Sequence, residues 1–315
     1  MNDSKPCRPM LGLAAALCMA LFPLMSGCTA VSAVKEKTRE IADVVTFSDH
    51  HIKKVGIAPF DNRTFISSQD FETIFHSRFI ETLADECPDV LWIKPGDAAY
   101  PPELMELPRE ELSGRLDNLG LAKLGKTLGL NTIVVVRAVE VDAEEKEKGI
   151  LFLRDTRYFG TAQISVAAYN VGTGAKLLDE SLSREAEVDG AEFDAIEAGD
   201  ESGVYELSDV LEELAVNAGE KLCKAVEAQR WEGYVHAVEG DRITLSFGRE
   251  AGLRAGEVLA VYDESEILEN KFGQRFFIPG EKVGEIKITE IFVGKARATA
   301  ISDNGIRPGS LVRPR

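Results

Sequence analysis

The stretch Lys54-Val55-Gly56-Ile57-Ala58-Pro59-Phe60 decides the fold of this chain. Its apolar residues, followed by the turn-prone pair Asp61-Asn62, predict a buried strand. A helix is predicted next, because five apolar residues recur on one helical face and Pro88 lies beyond them: Phe71, Ile74, Phe75, Phe79 and Leu83. A strand that leads directly into an amphipathic helix is typical of a sheet covered by helices.

The following segments continue this alternation up to residue 229. Residues 90–93 and 131–136 are apolar, which predicts two further strands, and residues 119–129 and 207–229 have the helical period. Residues on either side of Gly172-Thr173-Gly174 alternate between apolar and polar, which predicts a hairpin. We read the acidic residues 144–148 as a turn and the acidic residues 189–202 as a loop. The fold class predicted for residues 51–229 is therefore an α/β (α+β) domain, with a mixed sheet flanked by helices.

The sequence changes character at Trp231. Six short β-branched or alternating segments follow, separated by turn dipeptides such as Gly240-Asp241 and Asn304-Gly305. Closely spaced short strands of this kind predict a small all-β, barrel-like domain over residues 230–315.

The amino terminus carries the pattern of an export signal. A short basic start with Lys5 and Arg8 precedes apolar residues 10–25, and the run ends in Leu24-Met25-Ser26-Gly27-Cys28. This end resembles the lipobox of bacterial lipoproteins, although Met25 stands where Leu or Val is usual. The resemblance implies a signal peptide over residues 1–27, lipidation of Cys28 and a tether over residues 28–50. An uncleaved signal-anchor is the alternative, but sixteen apolar residues fall short of the ~20 that a spanning helix needs.

Composition narrows the class of function. The formal net charge is −17, which argues against nucleic-acid binding through phosphate contacts and against attachment to anionic lipids through a basic patch. Lipid on Cys28 would then supply the membrane attachment. Thr29 follows the cysteine where Asp would favour retention in the inner membrane, so the lipoprotein resemblance implies the periplasmic face of the outer membrane.

Two cysteines remain once the signal and the lipidated residue are set aside. Cys87 and Cys223 each lie near the carboxyl end of a predicted helix. In an oxidising compartment they could form a disulfide; otherwise they are two separate buried thiols. The sequence leaves both alternatives open.

The order of elements and the stretch from Lys54 to Asn62 resemble the periplasmic domain of the curli secretion-channel lipoprotein family. The amino domain of the Tol system's periplasmic propeller protein is similar. The segment Gly248-Arg249-Glu250-Ala251-Gly252-Leu253-Arg254-Ala255-Gly256, together with Val283-Gly284-Glu285-Ile286, is similar to the terminal domain of the flagellar assembly protein T. These resemblances cover most of the mature chain and rest on short structural motifs.

The family's secretion activity is not carried over. Membrane-crossing hairpins need strands of ~9–11 residues that are apolar at alternate positions. The candidate insertions, residues 141–149 and 189–202, are acidic and lack that alternation. The sequence therefore does not predict a pore.

No catalytic, metal or cofactor site is predicted. His50-His51 lacks further ligands at metal spacing and is read as part of a solvated linker; His76 and His236 are read as packed or exposed side chains. Residues 120–127 match the phosphate-loop pattern Gly-x-x-x-x-Gly-Lys-Thr, but their context is helical and no strand precedes them. We treat that match as chance.

Two functional hypotheses follow. The first is a non-enzymatic envelope lipoprotein that acts in assembly or scaffolding, binding envelope proteins through its sheet edge and its barrel, with a homo-oligomer as one form of such a complex. The alternative is a periplasmic ligand-binding protein or an enzyme that acts on cell-wall material. The alternative requires a defined pocket with convergent polar groups.

Overall fold

A computed structural model describes residues 51–64, 69–150, 153–200, 207–271 and 273–315. The predicted signal peptide, Cys28 and the tether lie outside the described residues. Residues His51–Arg315 form one compact unit.

The first half contains the predicted mixed sheet, with strand order β3-β1-β4-β5-β6. The strands are β1 (Lys53–Ile57), β2 (Asp61–Asn62), β3 (Val90–Ile93), β4 (Thr132–Ile150), β5 (Leu153–Asn170) and β6 (Lys176–Val188). Strand β1 runs parallel to both β3 and β4, whereas β4, β5 and β6 are antiparallel neighbours; the short β2 pairs with β4. The predicted fold class is confirmed.

Four α-helices of the described residues accompany the sheet. They are α1 (Gln69–Glu86), α2 (Asn118–Leu128), α3 (Gly190–Ala198) and α4 (Ser208–Ala228). Helices α1 and α4 pack against one another and contribute Phe75, Phe79 and Leu214 to a core on one face of the sheet. The same core takes Ile164 and Val166 from β5, all of them fully or almost fully buried. Apolar positions at the helical and strand periods thus meet on this face.

The acidic residues 144–148 do not form the predicted turn. They belong to β4, whose antiparallel register with β5 continues to Ile150↔Leu153. Ion pairs across the sheet replace an apolar pattern here: Lys146 contacts Glu185 of β6, and Arg157 Nη1 lies 3.1 Å from Glu187 Oε2. Opposite charges that meet across a sheet favour strand pairing, so the charged run extends the strand.

The acidic loop predicted over residues 189–202 is likewise wrong where the structure describes it. Helix α3 begins with a capping box, in which Asp189 accepts from the backbone of Glu192 while the Glu192 carboxylate accepts from the backbone N–H of Asp189. Gly199 ends it in the left-handed conformation, and Ile196 is buried. These are ordinary helix start and stop signals.

The second half is a closed six-stranded barrel with strand order β10-β11-β8-β7-β12-β9. Its strands are β7 (Gly233–Glu239), β8 (Arg242–Leu245), β9 (Val258–Glu269), β10 (Arg275–Ile291), β11 (Ala296–Asp303) and β12 (Leu311–Pro314). The predicted barrel is confirmed, but β9 and β10 are longer than predicted. Beyond the barrel wall, the described residues of β9 and β10 form strand pairs only with each other, and we call this extension, residues 263–271 and 273–283, the arm.

One apolar core joins the sheet to the barrel. It contains Ile133 and Val135 of β4 together with Tyr234 and Phe247 of the barrel half. Backbone approach is close here: a Cβ atom on Gly129, which ends α2 at φ +64°, would lie 1.9 Å from the carbonyl oxygen of Ser246. Only glycine meets both the dihedral and the space.

Buried polar groups cross the same junction. Asn131 Nδ2 donates to the Glu232 carbonyl oxygen at 2.7 Å, and Gln229 Nε2 donates to the Asn131 carbonyl oxygen at 3.0 Å. Within the barrel half, Arg313 Nη2 lies 2.5 Å from the buried carboxylate of the same Glu232 and holds this residue at the junction. Because buried polar groups need such partners, these contacts fix how the barrel meets the sheet.

Candidate functional site

The outer edge of β6 is open. This strand of 13 residues pairs with β5 on one side and ends the strand order on the other, so no described strand pairs with its outer edge. None of its residues before Val188 is fully buried. An unpaired edge presents backbone N–H and C=O groups to solvent and can accept another strand.

A groove with a volume of about 500 Å³ opens at the amino-terminal end of β6. Its walls come from the sheet, from the loop of residues 109–116, from the turn that precedes β6 and from the tip of the arm. Its charged lining residues are five cations and two anions: Arg63, Arg109, Arg115, Arg137, Lys176, Glu110 and Asp179. This excess of positive charge contrasts with the net charge of −17 for the whole chain.

Two of the arginines share one carboxylate. Arg63 Nε and Arg137 Nε lie 3.0 Å and 3.1 Å from the same Asp61 Oδ2 atom. Pairing of β2 with β4 produces this arrangement, because Asp61 is the register partner of Arg137. Two guanidinium groups on one carboxylate leave positive charge uncompensated at this wall.

The loop of residues 109–116 is closed by a bridge between Arg109 and Leu116. Inside it, Glu110 accepts hydrogen bonds from Ser113 Oγ and from Arg115, and these bonds lower the pKa of the Glu110 carboxyl. Arg109 Nη1 donates to the Gly114 carbonyl oxygen at 3.0 Å, a neutral partner, so its charge stays available to the groove.

Tyr169 and Lys176 form the wall on the sheet side. Burial raises the pKa of Tyr169, while Lys176 and Arg137 act in the opposite direction. Lys176 Nζ lies 5.7 Å from the centre of the Tyr169 ring and pairs with Asp179 Oδ2 at 2.7 Å. The phenol therefore stays neutral beside cations at ordinary pH and adds an apolar surface to the groove.

The arm contributes Gln274 and Phe276 to the lining of the groove. Its position is set by Phe277, which is 7% exposed and packs against Leu119 and Ala122 of α2 in a small separate cluster. The Phe277 N–H also donates to the Thr173 carbonyl oxygen at 2.9 Å. The barrel thus contributes directly to the groove.

The structure joins Cys87 and Cys223 in a disulfide, with a Cα–Cα distance of 5.8 Å. Cys87 follows the last residue of α1, and Cys223 lies inside α4, so the bond links the two helices over the first core. Cys28, the predicted lipidation site, lies outside the described residues.

His51 does not belong to a solvated linker, and that prediction is wrong. Its side chain is 7% exposed, its Nε2 atom lies 2.6 Å from Glu257 Oε1, and its ring stacks on Trp231 at a centroid distance of 4.5 Å. The Ile52 N–H donates to the Ala251 carbonyl oxygen at 3.0 Å. Backbone and side chain thus hold the start of the described chain on the barrel half, which sequence spacing gives no means of anticipating.

The residues that the sequence analysis set aside as phosphate or metal sites lie in helices and strands. The phosphate-loop match lies within α2, since both of its glycines are inside that helix. His76 is in α1 and His236 is an exposed residue of β7. Within the described residues, no group of histidine, cysteine, aspartate and glutamate side chains could hold a metal ion. In the same part of the chain, no helix combines the length and apolarity needed to cross a membrane.

The groove is not predicted from the sequence. Its cations come from four separate segments, and only the pairing of β2 with β4 and the docking of the arm bring them together. A single signal was available: Asp61 and Arg63 are charged residues directly after the predicted buried strand, a position where binding residues often lie.

Neither a family model nor a curated protein matches the sequence. Among solved structures, the hypothetical protein CT253 from Chlamydia trachomatis is 13% identical, with 55% of this chain and 99% of that chain covered at a TM-score of 0.31. A minor lipoprotein from Acinetobacter baumannii is 10% identical (55% and 93% covered, TM-score 0.28). A PelC dodecamer from Paraburkholderia phytofirmans is 12% identical (55% and 88% covered, TM-score 0.30). TM-scores of this size carry no inference about this chain.

Proposed function

We propose that this chain is a non-enzymatic lipoprotein of the cell envelope that acts in assembly or scaffolding by binding other envelope proteins. Lipid on Cys28 would hold it at the periplasmic face of the outer membrane, and the tether of residues 28–50 would give it reach. The resemblance to the curli secretion-channel lipoproteins is part of this proposal, without their pore.

The observation that carries the proposal is the open edge of β6. A strand of 13 residues offers roughly 44 Å of unpaired backbone, which is far longer than edge strands that proteins keep short. Its charged residues are mostly acidic, with Asp179, Glu180, Glu185 and Glu187 against Lys176 and Arg184, and they discourage pairing with apolar strands. They favour a partner strand whose charges complement them.

Site-specific cross-linking in intact cells tests this proposal. A photo-reactive residue replaces Ser183 on β6, and a matched control carries it at Asp241, an exposed turn residue of the barrel. We expect discrete protein adducts from position 183 and none of the same size from position 241. Equal adduct patterns at the two positions, or none at either, would refute partner binding at this edge.

Proline substitutions then separate strand pairing from other contacts. Neighbouring residues of an antiparallel strand direct their N–H groups to opposite edges, so one of Ser183→Pro and Arg184→Pro blocks the outer edge while the other breaks the ladder with β5. Urea unfolding identifies the outward position as the variant of nearly unchanged stability. That variant should lose the adducts formed by a photo-reactive residue at Ser181.

The groove favours a second candidate function. The alternative predicted from the sequence, a ligand-binding protein or an enzyme acting on cell-wall material, needs a pocket with convergent polar groups, and the groove has this property. If a soluble ligand fills the groove without changing the cross-links from β6, the two activities use separate surfaces.

A further inference from the structure

We infer that the groove is a binding site for a ligand that joins an oxyanion, either a carboxylate or a phosphate, to an apolar or aromatic portion. The inference deepens the second candidate function and does not depend on partner binding at β6.

The charge of the groove selects an anion. Arg63 and Arg137 both contact the Asp61 carboxylate, and each arginine uses its Nε atom for that contact. A guanidinium group has five N–H donors, so donors remain at both residues for a further oxyanion. Arg109, whose described partner is a backbone carbonyl oxygen, adds a third cation. Arginine groups that bind carboxylate or phosphate in this way form the stronger class of hydrogen bond.

The apolar walls select what the anion is attached to. Tyr169 of the sheet, which is almost fully buried, and Phe276 of the arm both line the groove. Leu268 is the register partner of Phe276, so the two side chains share one face of the arm, and Leu268 is 53% exposed. Directly opposed residues of an antiparallel pair lie on the same side. An apolar surface therefore continues from the groove along the arm.

The size of the groove limits the ligand to a small molecule or a short end of a larger one. Its volume of about 500 Å³ lies within the usual range of roughly 300–1,000 Å³ for small-molecule sites. The arm completes the site, because it supplies Gln274 and Phe276.

Calorimetric titration of the lipid-free chain tests the inference. The probes are inorganic phosphate, citrate and phenyl phosphate at low ionic strength. We expect saturable binding of at least one oxyanion, tighter binding of phenyl phosphate than of phosphate, and weakening with added salt. The ratio of phosphate to citrate affinity distinguishes a phosphate ligand from a carboxylate ligand.

Variants with opposite expected effects keep the test independent of folding. The double variant Arg63→Gln/Arg137→Gln should weaken binding by about tenfold or more, whereas Asp61→Asn should tighten it severalfold because the competing carboxylate is gone. Arg230→Gln/Arg242→Gln removes equal charge from exposed positions outside the groove and should leave affinity nearly unchanged. Phe276→Ala should abolish the advantage of phenyl phosphate.

Three results would overturn the inference. The first is no saturable binding of any probe. The second is binding that the groove variants and the control variants weaken equally. The third is binding of long acidic peptides with none of the small probes, which would assign the groove to a protein partner.

Discussion

Removal of the disulfide between Cys87 and Cys223 should destabilise the chain strongly. The two residues are separated by 136 positions, so the bond closes a long loop in the unfolded chain. Loop-closure entropy for that length corresponds to about 5 kcal/mol at 25 °C, which is the upper end of measured disulfide contributions. For a unit of about 265 residues this corresponds to a fall of about 9 °C in Tm.

Differential scanning calorimetry with and without reductant measures the effect. The variant Cys87→Ala/Cys223→Ala is the matched control, because its Tm should be low and should not respond to reductant. Both side chains are at least 97% buried, so loss of the sulfur atoms adds a packing cost that the reductant does not cause. Equal Tm values for the oxidised and reduced wild-type chain, or free thiols at both Cys87 and Cys223 in the unfolded chain without reductant, would refute the reasoning.

Two further predictions concern helix packing and pH. Gly219→Ala should cost about 1–3 kcal/mol of unfolding free energy in urea, because the new Cβ atom would lie 2.7 Å from Thr82 Cγ2; adding Thr82→Ser, which removes that methyl group, should restore most of it. Burial raises the pKa of Tyr100 from 10.0 to about 12, and its hydroxyl donates to the Ile57 carbonyl oxygen at 2.9 Å. The folded state therefore favours the neutral phenol, so stability from this group is present below pH 10 and is lost as the pH rises through 12. Alkaline unfolding followed by tyrosinate absorbance should show this loss in the wild type and not in Tyr100→Phe.

The sequence predicted the elements whose pattern is local. Strand β3 and helices α1, α2 and α4 were predicted within a few residues, because each combines a regular apolar period with a clear stop such as Pro88 or Gly129. The barrel was predicted from short strands and turn dipeptides, which also act locally.

Features that depend on distant partners were not predicted. Residues 144–148 look like a turn by composition and become a strand because backbone pairing with β5 continues through them and the Glu185 carboxylate of β6 contacts Lys146. His51 looks like a linker residue and is buried by Trp231 and Glu257, which come about 180 and 206 positions later. Helix α3 is a different case, since Asp189, Glu192 and Gly199 carried cap signals that acidity alone obscured.

The residues of the candidate site also divide into those with a local sequence signal and those that only tertiary structure brings together. Asp61 and Arg63 could be placed after a strand from sequence, but Arg109, Arg137 and Phe276 reach the groove only through tertiary pairing. A cationic surface in a strongly acidic chain cannot be read from net charge, which averages over all faces of the molecule.

The core shared by sheet and barrel makes the chain indivisible. A fragment that ends at Gln229 would expose Ile133 and Val135 to water on the side that the barrel now covers, and Asn131 would lose its acceptor on Glu232. Heating should therefore melt both halves in a single calorimetric peak. For the same reason, exchange of the carboxyl-terminal half between related chains would succeed only if the residues opposite it, Gly129 foremost, were exchanged with it.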